Sequence, residues 1–325
     1  MGCLRLFLAF LVLISHMGYS WHGYNPGVMA VAVFYLLAGH VVAKLWLHAP
    51  AERRLQWFAR DRAWRILPQY YLSLAVAAVM WCWLQPDSYH VSAIPTLFDW
   101  FANLTIVPLN YFMFNGTDQF TLLAPAWSLG AEIQFYFLVP ILLLSRNVLF
   151  VALMLSLGIF SFAQTGLINS DIYGYRLLPG ILFLFICGAL CIQPNRATRI
   201  FLLLLWLICC VYVVYLVLQP TNPPYVFEVA VGFSVGLPCV VWGSRSSSRP
   251  KWWRVVQQRA GVYSYALFLL HFPLLWVVQP RLGNGVTAVT VVCAMNLLYA
   301  ELAHRYVERP LWSRFRSYLG KPSSQ

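Results

Sequence analysis

Long apolar segments recur along this chain, with short polar segments between them. A helix needs about 20 mostly apolar residues to cross a bilayer, and segments close to that length occur throughout the 325 residues. The pattern predicts an all-α, polytopic integral membrane protein with about ten transmembrane helices. The predicted spans cover residues 4–21, 27–47, 66–84, 127–145, 147–163, 176–192, 199–218, 225–242, 259–279 and 286–306.

The composition leaves little room for a soluble domain. Hydrophobic residues make up 61% of the chain and charged residues only 10%, whereas a soluble domain is about one quarter charged. We therefore expect a single membrane-embedded domain over residues 1–325. The eight cysteines lie mostly singly within apolar spans, without the spacing of a metal site. We interpret them as small buried hydrophobic residues and predict no metal.

The basic residues lie almost entirely on one side of the predicted spans. With the N-terminus in the cytoplasm, 20 of the 22 Lys and Arg residues are cytoplasmic, and only Arg176 and Arg281 lie outside. This distribution follows the positive-inside rule, so the net charge of +12 orients the protein and does not indicate a nucleic-acid partner. It predicts a multi-pass membrane protein with the N-terminus and the C-terminus cytoplasmic.

Arg5 and His16 stand at the two ends of the stretch RLFLAFLVLISH in the first predicted helix. Eleven residues at 3.6 per turn return the chain to within roughly 20° of its starting direction and separate the two side chains by roughly 16 Å. Taken separately, Arg5 is explained as an orientation charge and His16 as an interfacial histidine. Together on one face, they predict a polar line across the membrane.

Arg62 and Arg65 share one face of the third predicted helix, because their i,i+3 spacing is close to one turn. The positive-inside rule explains the number of basic residues here. It explains less well why the stretch RDRAWRILPQYY runs directly into an apolar span. A pair of guanidinium groups suits a phosphate ligand, through charge and bidentate hydrogen bonds.

Further ionisable residues lie within or beside the later spans, where they are costly and usually face a partner or a cavity. Glu132 has no cation nearby in sequence, and His271 lies twelve residues into its span. Glu301, His304 and Glu308 form a polar stripe at i, i+3 and i+7 of the last helix. For Glu301 and His304, a structural hydrogen bond between helices is at least as good an explanation as a chemical role. Glu132 and His271 are the stronger functional candidates.

In this order, the residues resemble the motifs of the family-three membrane acyltransferases, which include bacterial O-antigen and other polysaccharide O-acetylases. The resemblance covers nearly the whole chain, and the ordered set of motifs is far more specific than any one of them. The motifs are Arg5 with His16; Arg62, Arg65, Pro68 and Tyr70 in RDRAWRILPQYYLSL; Trp127, Ser128, Glu132, Phe135 and Tyr136 in WSLGAEIQFYFLVP; Ser264, Tyr265, His271 and Pro273 in YSYALFLLHFPLL; and Glu308 in YVERPLW.

The chain departs from the family pattern at three points. The Asp-Gly pair ahead of the first arginine is missing, since only MGCL precedes Arg5. The second helix has Ala38-Gly39 in place of Ser-Gly and carries no carboxylate, which places in doubt any mechanism that needs an acid there. We expect no appended periplasmic SGNH-type domain of the kind that some relatives carry.

The resemblance implies a protein of the bacterial inner (plasma) membrane. It implies transfer of an acyl group, commonly acetyl, from cytoplasmic acetyl-CoA to a hydroxyl of a carbohydrate on the periplasmic side. It implies that Arg5, Arg62 and Arg65 hold the CoA phosphates and that His16 acts at the hydroxyl, where Glu132 can orient or recharge it. His16 as general base and His16 as transient acyl carrier remain alternatives. His271, Ser128, Tyr136 and Glu308 are expected to support the substrate or the structure.

A transporter or flippase of a lipid-linked sugar is the alternative function, with the same buried residues forming a proton relay. It predicts movement of a substrate without acyl consumption, and usually paired repeats, which this sequence does not show. A structural subunit of an envelope-synthesis complex is a third interpretation. The identity of the acceptor stays open, as does acetyl against succinyl or a longer acyl group.

Overall fold

The computed structural model describes residues 1–192, 194–219, 221–245 and 250–311, which form helices and no β-strand. The prediction of an all-α, polytopic membrane protein is confirmed. The predicted cytoplasmic C-terminus lies outside the described residues. The helices are α1 (Gly2–His16), α2 (Pro26–His48), α3 (Arg54–Leu84), α4 (Leu97–Thr105), α5 (Phe112–Asn115), α6 (Ala126–Leu142), α7 (Arg146–Gln164), α8 (Leu178–Leu190), α9 (Arg196–Val217), α10 (Val226–Arg245), α11 (Lys251–Leu282) and α12 (Val286–Ala303).

Eight helices among the described residues are long and apolar enough to cross a membrane, and α1 and α6 are shorter apolar helices. The helix starts differ from the predicted span starts by more than three residues in two places. The basic segment that precedes the third predicted span, residues 54–65, is continuous with that span, so that α3 is 31 residues long. No glycine or proline interrupts residues 54–67, and the helix continues through Pro68. In the same way, α11 begins at Lys251 and is 32 residues long.

Helices α1 and α11 lie side by side and run in the same direction. Near the start of α1, the Cys3 backbone N–H donates to Gln257 Oε1 at 3.1 Å. At its end, the ring of His16 lies against that of His271. A Cβ atom at Gly2 would lie 1.7 Å from the Gln257 carbonyl oxygen, so the absence of a side chain permits this close approach. The packing therefore turns one face of α1 toward α11 along its length.

Helix α2 is central and is buried along most of its length. It packs against α8 with the two backbones in contact. A Cβ atom at Gly39 would lie 1.9 Å from the Phe185 carbonyl oxygen, and one at Gly188 would lie 2.0 Å from the Leu36 carbonyl oxygen. Glycine is thus required at both points of the α2–α8 contact. Helix α9, by contrast, exposes most of its apolar surface.

The segment between α3 and α6, residues 85–125, covers one end of the helix bundle, and we call it the covering segment. The buried Asn103 side chain holds it together, since Nδ2 donates to the Phe120 carbonyl at 3.0 Å and Oδ1 accepts from the Leu122 N–H at 3.0 Å. Tyr70 of α3 donates its hydroxyl to the Asn103 carbonyl at 2.6 Å. These bonds attach the segment to α3, next to the end of α1 that carries His16.

Candidate functional site

The residues singled out in the sequence converge on three cavities inside the bundle. The basic cavity, of about 510 Å³, lies between the start of α1, residues 64–69 of α3 and residues 255–262 of α11. The central cavity, of about 120 Å³, follows it. The histidine cavity, of about 50 Å³, lies at the end of α1. The predicted site residues that line the basic cavity are Arg5, Arg65 and Glu308. Those that line the central cavity are Arg5, Arg62, Arg65, Ser128, Glu132 and Tyr136. The histidine cavity is lined by Ser128 and His16.

Neighbouring cavities share the residues of their walls. Arg5 and Arg65 line both the basic and the central cavity. Val31, Ser128 and Phe268 line both the central and the histidine cavity. The three cavities therefore lie next to one another along α1, and we call this row of cavities the passage. Arg5 and His16 face this passage at opposite ends, as their spacing in the sequence predicts.

The arginines at the central cavity differ in how far their charge is neutralised. Arg62 Nη2 lies 2.5 Å from Oδ2 of Asp61, a residue that is only 7% exposed. No carboxylate of the described residues lies within 4.0 Å of Arg5 or Arg65. Arg5 and Arg65 are therefore the cations available to an anionic ligand, whereas Arg62 already has a counter-ion.

Glu132 lies at the level of the arginines. Its carboxylate accepts a hydrogen bond from the Tyr136 hydroxyl, one turn later on α6. It also interacts electrostatically with Arg5 and Arg62. The sequence led us to expect Glu132 beside His16, in a position to orient or recharge it. The described structure instead pairs His16 with another residue, because the α1–α11 contact brings His271 to it.

His16 and His271 form a hydrogen-bonded pair whose direction follows from simple chemistry. The His271 Nδ1 atom lies 2.7 Å from the Leu267 carbonyl oxygen, which can only accept, so this nitrogen carries the proton. In the neutral ring, Nε2 of His271 is then an acceptor. It lies 2.8 Å from Nδ1 of His16, which must donate. Nε2 of the neutral His16 ring therefore keeps a free lone pair, on a side chain that is exposed at the passage.

One residue near His16 has no signal in the sequence. His90 precedes α4 in the covering segment, and its ring lies 5.0 Å from the ring of Phe272, which is 5.4 Å from the ring of His16. The His90 Nδ1 atom lies 3.2 Å from the Asp118 carbonyl oxygen. A single loop histidine has no periodic pattern around it, and only the folded segment brings it to the end of the passage.

Glu308 closes a polar cluster at the basic cavity. Its Oε2 atom lies 2.9 Å from His304 Nδ1. With the Gln69 amide turned so that its nitrogen faces Glu308, that nitrogen donates to Oε1 at 2.6 Å. Glu301 points elsewhere and accepts from Arg259 at 2.7 Å and from Tyr263 at 2.8 Å. Glu308 thus ties the end of α12 to α3, and Glu301 ties α12 to α11.

The fold and the site define a helical membrane protein in which polar residues line a passage from arginines to a histidine pair. The family model for this acyltransferase domain matches residues 1–300. The chain therefore belongs to the family-three acyltransferases, and the resemblance seen in its motifs is confirmed.

Individual relatives extend this comparison. The chain is 35% identical to an uncharacterized protein of Aquifex aeolicus, over 50% of this chain and 75% of the relative. It is 25% identical to the putative peptidoglycan O-acetyltransferase YrhL of Bacillus subtilis and 22% identical to the peptidoglycan O-acetyltransferase OatA of Listeria monocytogenes, over 97% and 95% of this chain. The chain spans about half the length of these two relatives, at 55% and 54%. No solved structure matches it.

Proposed function

We propose that this protein transfers an acyl group, in the first instance acetyl, from cytoplasmic acyl-CoA to a hydroxyl of a cell-envelope or exported carbohydrate on the other side of the membrane. The single observation that carries the proposal is the passage, which has at one end two arginines without a carboxylate within 4.0 Å among the described residues and at the other a histidine with an oriented lone pair. Relatives named as peptidoglycan O-acetyltransferases support a carbohydrate acceptor.

The donor enters from the basic cavity. CoA carries several phosphate charges on its nucleotide half and a long uncharged arm that ends in the thioester. Arg5 and Arg65 supply charge-assisted hydrogen bonds to the phosphates, and the arm extends through the central cavity toward His16. Arg62 contributes less to binding than we expected from the sequence, because Asp61 already neutralises it. Glu132 limits the excess positive charge in the central cavity when the donor is absent.

His16 acts on the hydroxyl at the other end. Its Nε2 lone pair takes the hydroxyl proton while the oxygen attacks the thioester carbon, and the C–S bond then breaks. The departing thiolate recovers the proton from His16, so the reaction needs no further proton donor. Such a base contributes about 10²- to 10⁴-fold. The alternative role uses the same lone pair, since Nε2 can attack the thioester and carry the acyl group to the hydroxyl.

His271 acts through His16 and is a positioning residue. It holds the proton of His16 on Nδ1, and its own tautomer is determined by the Leu267 carbonyl. When Nε2 of His16 takes a proton, the ring becomes a cation, and the hydrogen bond to His271 becomes charge-assisted and stronger. This is the base-plus-orienter arrangement that recurs in acyl transfer, with a histidine in the place of the carboxylate.

The test is a comparison of envelope glycans from cells that produce the wild type, His16→Ala or His22→Ala. We expect His16→Ala to insert normally and to leave the glycans without the ester-linked acyl group, measured by mass spectrometry. His22 is an exposed histidine in the turn between α1 and α2, so its variant should acylate like the wild type. Acylation by His16→Ala at a rate near that of the wild type would refute the assignment.

A transporter would give a different result in the same cells. It would move its carbohydrate across the membrane without consuming acetyl-CoA, and the glycans of the wild type would carry no additional acyl group. A purely structural subunit would tolerate both substitutions. Each of these outcomes contradicts the proposed function.

A further inference from the structure

Tyr35 of α2 carries a buried hydroxyl without a partner. The residue is 3% exposed and its ring packs against Phe185, with 4.8 Å between the ring centroids. Its Oη atom has no hydrogen-bond partner among the described residues, although Tyr35 lines the central cavity. Buried polar groups are nearly always hydrogen-bonded, because an unpaired one has lost its hydrogen bonds to water without gaining any in return. Such a hydroxyl therefore needs an explanation.

The other tyrosines of the central cavity do not share this property. Tyr265 donates its hydroxyl to the Ile66 carbonyl at 3.2 Å, and Tyr136 donates to Glu132. The unpaired hydroxyl of Tyr35 is therefore not a general feature of the cavity wall. It indicates a ligand that brings a hydrogen-bond acceptor to this position.

The position of Tyr35 along the passage limits what that acceptor is. Val31 and Ala38 lie one turn before and one turn after Tyr35 on the same face of α2, and both line the central cavity. Val31 also lines the histidine cavity. The Cα atom of Tyr35 is thus about one helical turn, or about 5.4 Å, from that of Val31 at the junction with the histidine cavity, on the side toward the arginines.

The α2 wall beside Tyr35 is apolar, since Val31, Phe34 and Ala38 all line the cavity. The charged groups Arg176 and Glu132, which act on Tyr35, are of opposite sign. An uncharged carbonyl oxygen fits such a place better than an anion, which is costly to bury without a counter-ion. In a pantetheine thioester, the first amide carbonyl follows the sulfur after two methylene groups and a nitrogen. This is about the length of one helical turn. A thioester held at the junction therefore places that amide carbonyl at the level of Tyr35.

We propose that the Tyr35 hydroxyl donates a hydrogen bond to the amide carbonyl nearest the thioester in the pantetheine arm of the acyl donor. The inference rests on the proposed function, because it takes the donor to be a pantetheine thioester. Tyr35 thereby sets how far the arm extends toward His16. The same arm occurs in CoA and on acyl carrier proteins, so Tyr35 recognises the feature that they share.

The test compares Tyr35→Phe with the wild type, as full-length proteins in lipid nanodiscs, by equilibrium binding. The probes are acetyl-CoA and adenosine 3′,5′-bisphosphate, which contains the nucleotide half without the arm. A neutral hydrogen bond is worth about three- to tenfold in affinity. We expect Tyr35→Phe to weaken the binding of acetyl-CoA by that factor and to leave the binding of the bisphosphate unchanged. The unfolding temperature without ligand should stay the same or rise, because no hydrogen bond is lost.

Tyr70→Phe is the matched control. Tyr70 is also fully buried, but its hydroxyl donates to the Asn103 carbonyl at 2.6 Å. Its variant should therefore unfold at a lower temperature and bind both probes like the wild type. The proposal would be overturned if Tyr35→Phe weakened the binding of both probes equally, or if it weakened the binding of neither. The second result is also the one expected if a water molecule alone occupies the site.

Two further measurements separate this inference from its premises. Acetylated acyl carrier protein replaces acetyl-CoA in a parallel binding experiment. The donor that binds more tightly identifies the source of the pantetheine arm. A wild type that binds acetyl-CoA but acylates no glycan would remove the acceptor half of the proposed function and leave the role of Tyr35 standing. A wild type that binds neither pantetheine thioester would overturn both.

Discussion

Nδ1 of His16 lies 2.8 Å from Nε2 of His271, although 255 residues separate them in the chain. The two helices that carry them run side by side in the same direction, so the pair is part of the α1–α11 contact. The Leu267 carbonyl determines the direction of the hydrogen bond. A backbone atom of α11 thus determines which nitrogen of His16 is free to react.

Two substitutions at His271 separate its hydrogen bond to His16 from its packing. Glutamine can place an acceptor oxygen where Nε2 of His271 stands, and can therefore keep the hydrogen bond to His16. Asparagine is shorter and can keep only the hydrogen bond to the Leu267 carbonyl. We expect His271→Asn to lower kcat by about 10²-fold or more, and His271→Gln to retain more of it. Acetyl-CoA binding should be unchanged in both. If asparagine preserved kcat better than glutamine, His271 would serve the structure alone.

Charge reversal at Arg65 tests the docking of the donor. Arg65 lines two of the three cavities and has no carboxylate within 4.0 Å among the described residues. Loss of a charge-assisted hydrogen bond is worth about 1.5–3 kcal/mol, so Arg65→Glu should raise the KM for acetyl-CoA about 10- to 100-fold, with a smaller effect on kcat. Arg60→Glu is the control, because Arg60 is exposed on the same helix and lines none of the three cavities. An equal effect of both variants would assign Arg65 to membrane topology only.

The α2–α8 contact predicts a steep effect on stability. A Cβ atom at Gly39 would lie 1.9 Å from a backbone oxygen that cannot move without moving α8. We expect Gly39→Ala to lower the free energy of unfolding by about 1–3 kcal/mol or more, measured as the loss of folded protein on heating in detergent. Gly158→Ala, at a site with nothing within 4 Å of the added atom, should be neutral or stabilising, since alanine favours helix.

The covering segment should lose stability in acid through His90. Burial lowers the pKa of this histidine from its ordinary value of 6.5, against the opposing effect of its hydrogen bond to the Asp118 carbonyl. The unfolded chain therefore binds the proton more readily than the folded one. The stabilisation by neutral His90 is complete above pH 6.5 and is lost as the pH falls toward the folded pKa.

His90→Asn provides the comparison, because asparagine can keep the donor to Asp118 without the titratable ring. Between pH 7 and pH 5, the unfolding temperature of the wild type should fall further than that of His90→Asn. Parallel curves for the two proteins would show that His90 does not titrate differently in the folded state.

Much of the architecture could be predicted from the sequence. A membrane span needs a long apolar segment, and an α-helix returns to the same face after eleven residues, so the spans and the shared face of Arg5 and His16 follow from local rules. Helix starts were less predictable. The basic residues 54–65 and the apolar span that follows them form one helix, α3, because no residue between them breaks it.

The candidate site shows where such local rules end. The sequence identified His16, His271 and Glu132 as separate candidates and suggested Glu132 as the partner of His16. The pairing instead depends on which helix lies beside α1. That choice is made by close backbone contacts, such as that of Gly2 with Gln257, and no pattern within one helix records it.

The sequence by itself determined the kind of protein, the helix that carries Arg5 and His16, and the motifs of the acyltransferase family. Periodicity and hydropathy are properties of each segment and act before any packing. Only the tertiary structure decided that His271 lies beside His16, that Asp61 neutralises Arg62 and that the Tyr35 hydroxyl lacks a partner among the described residues. These are relations of distance between side chains, and distances across helices depend on how whole helices fit together.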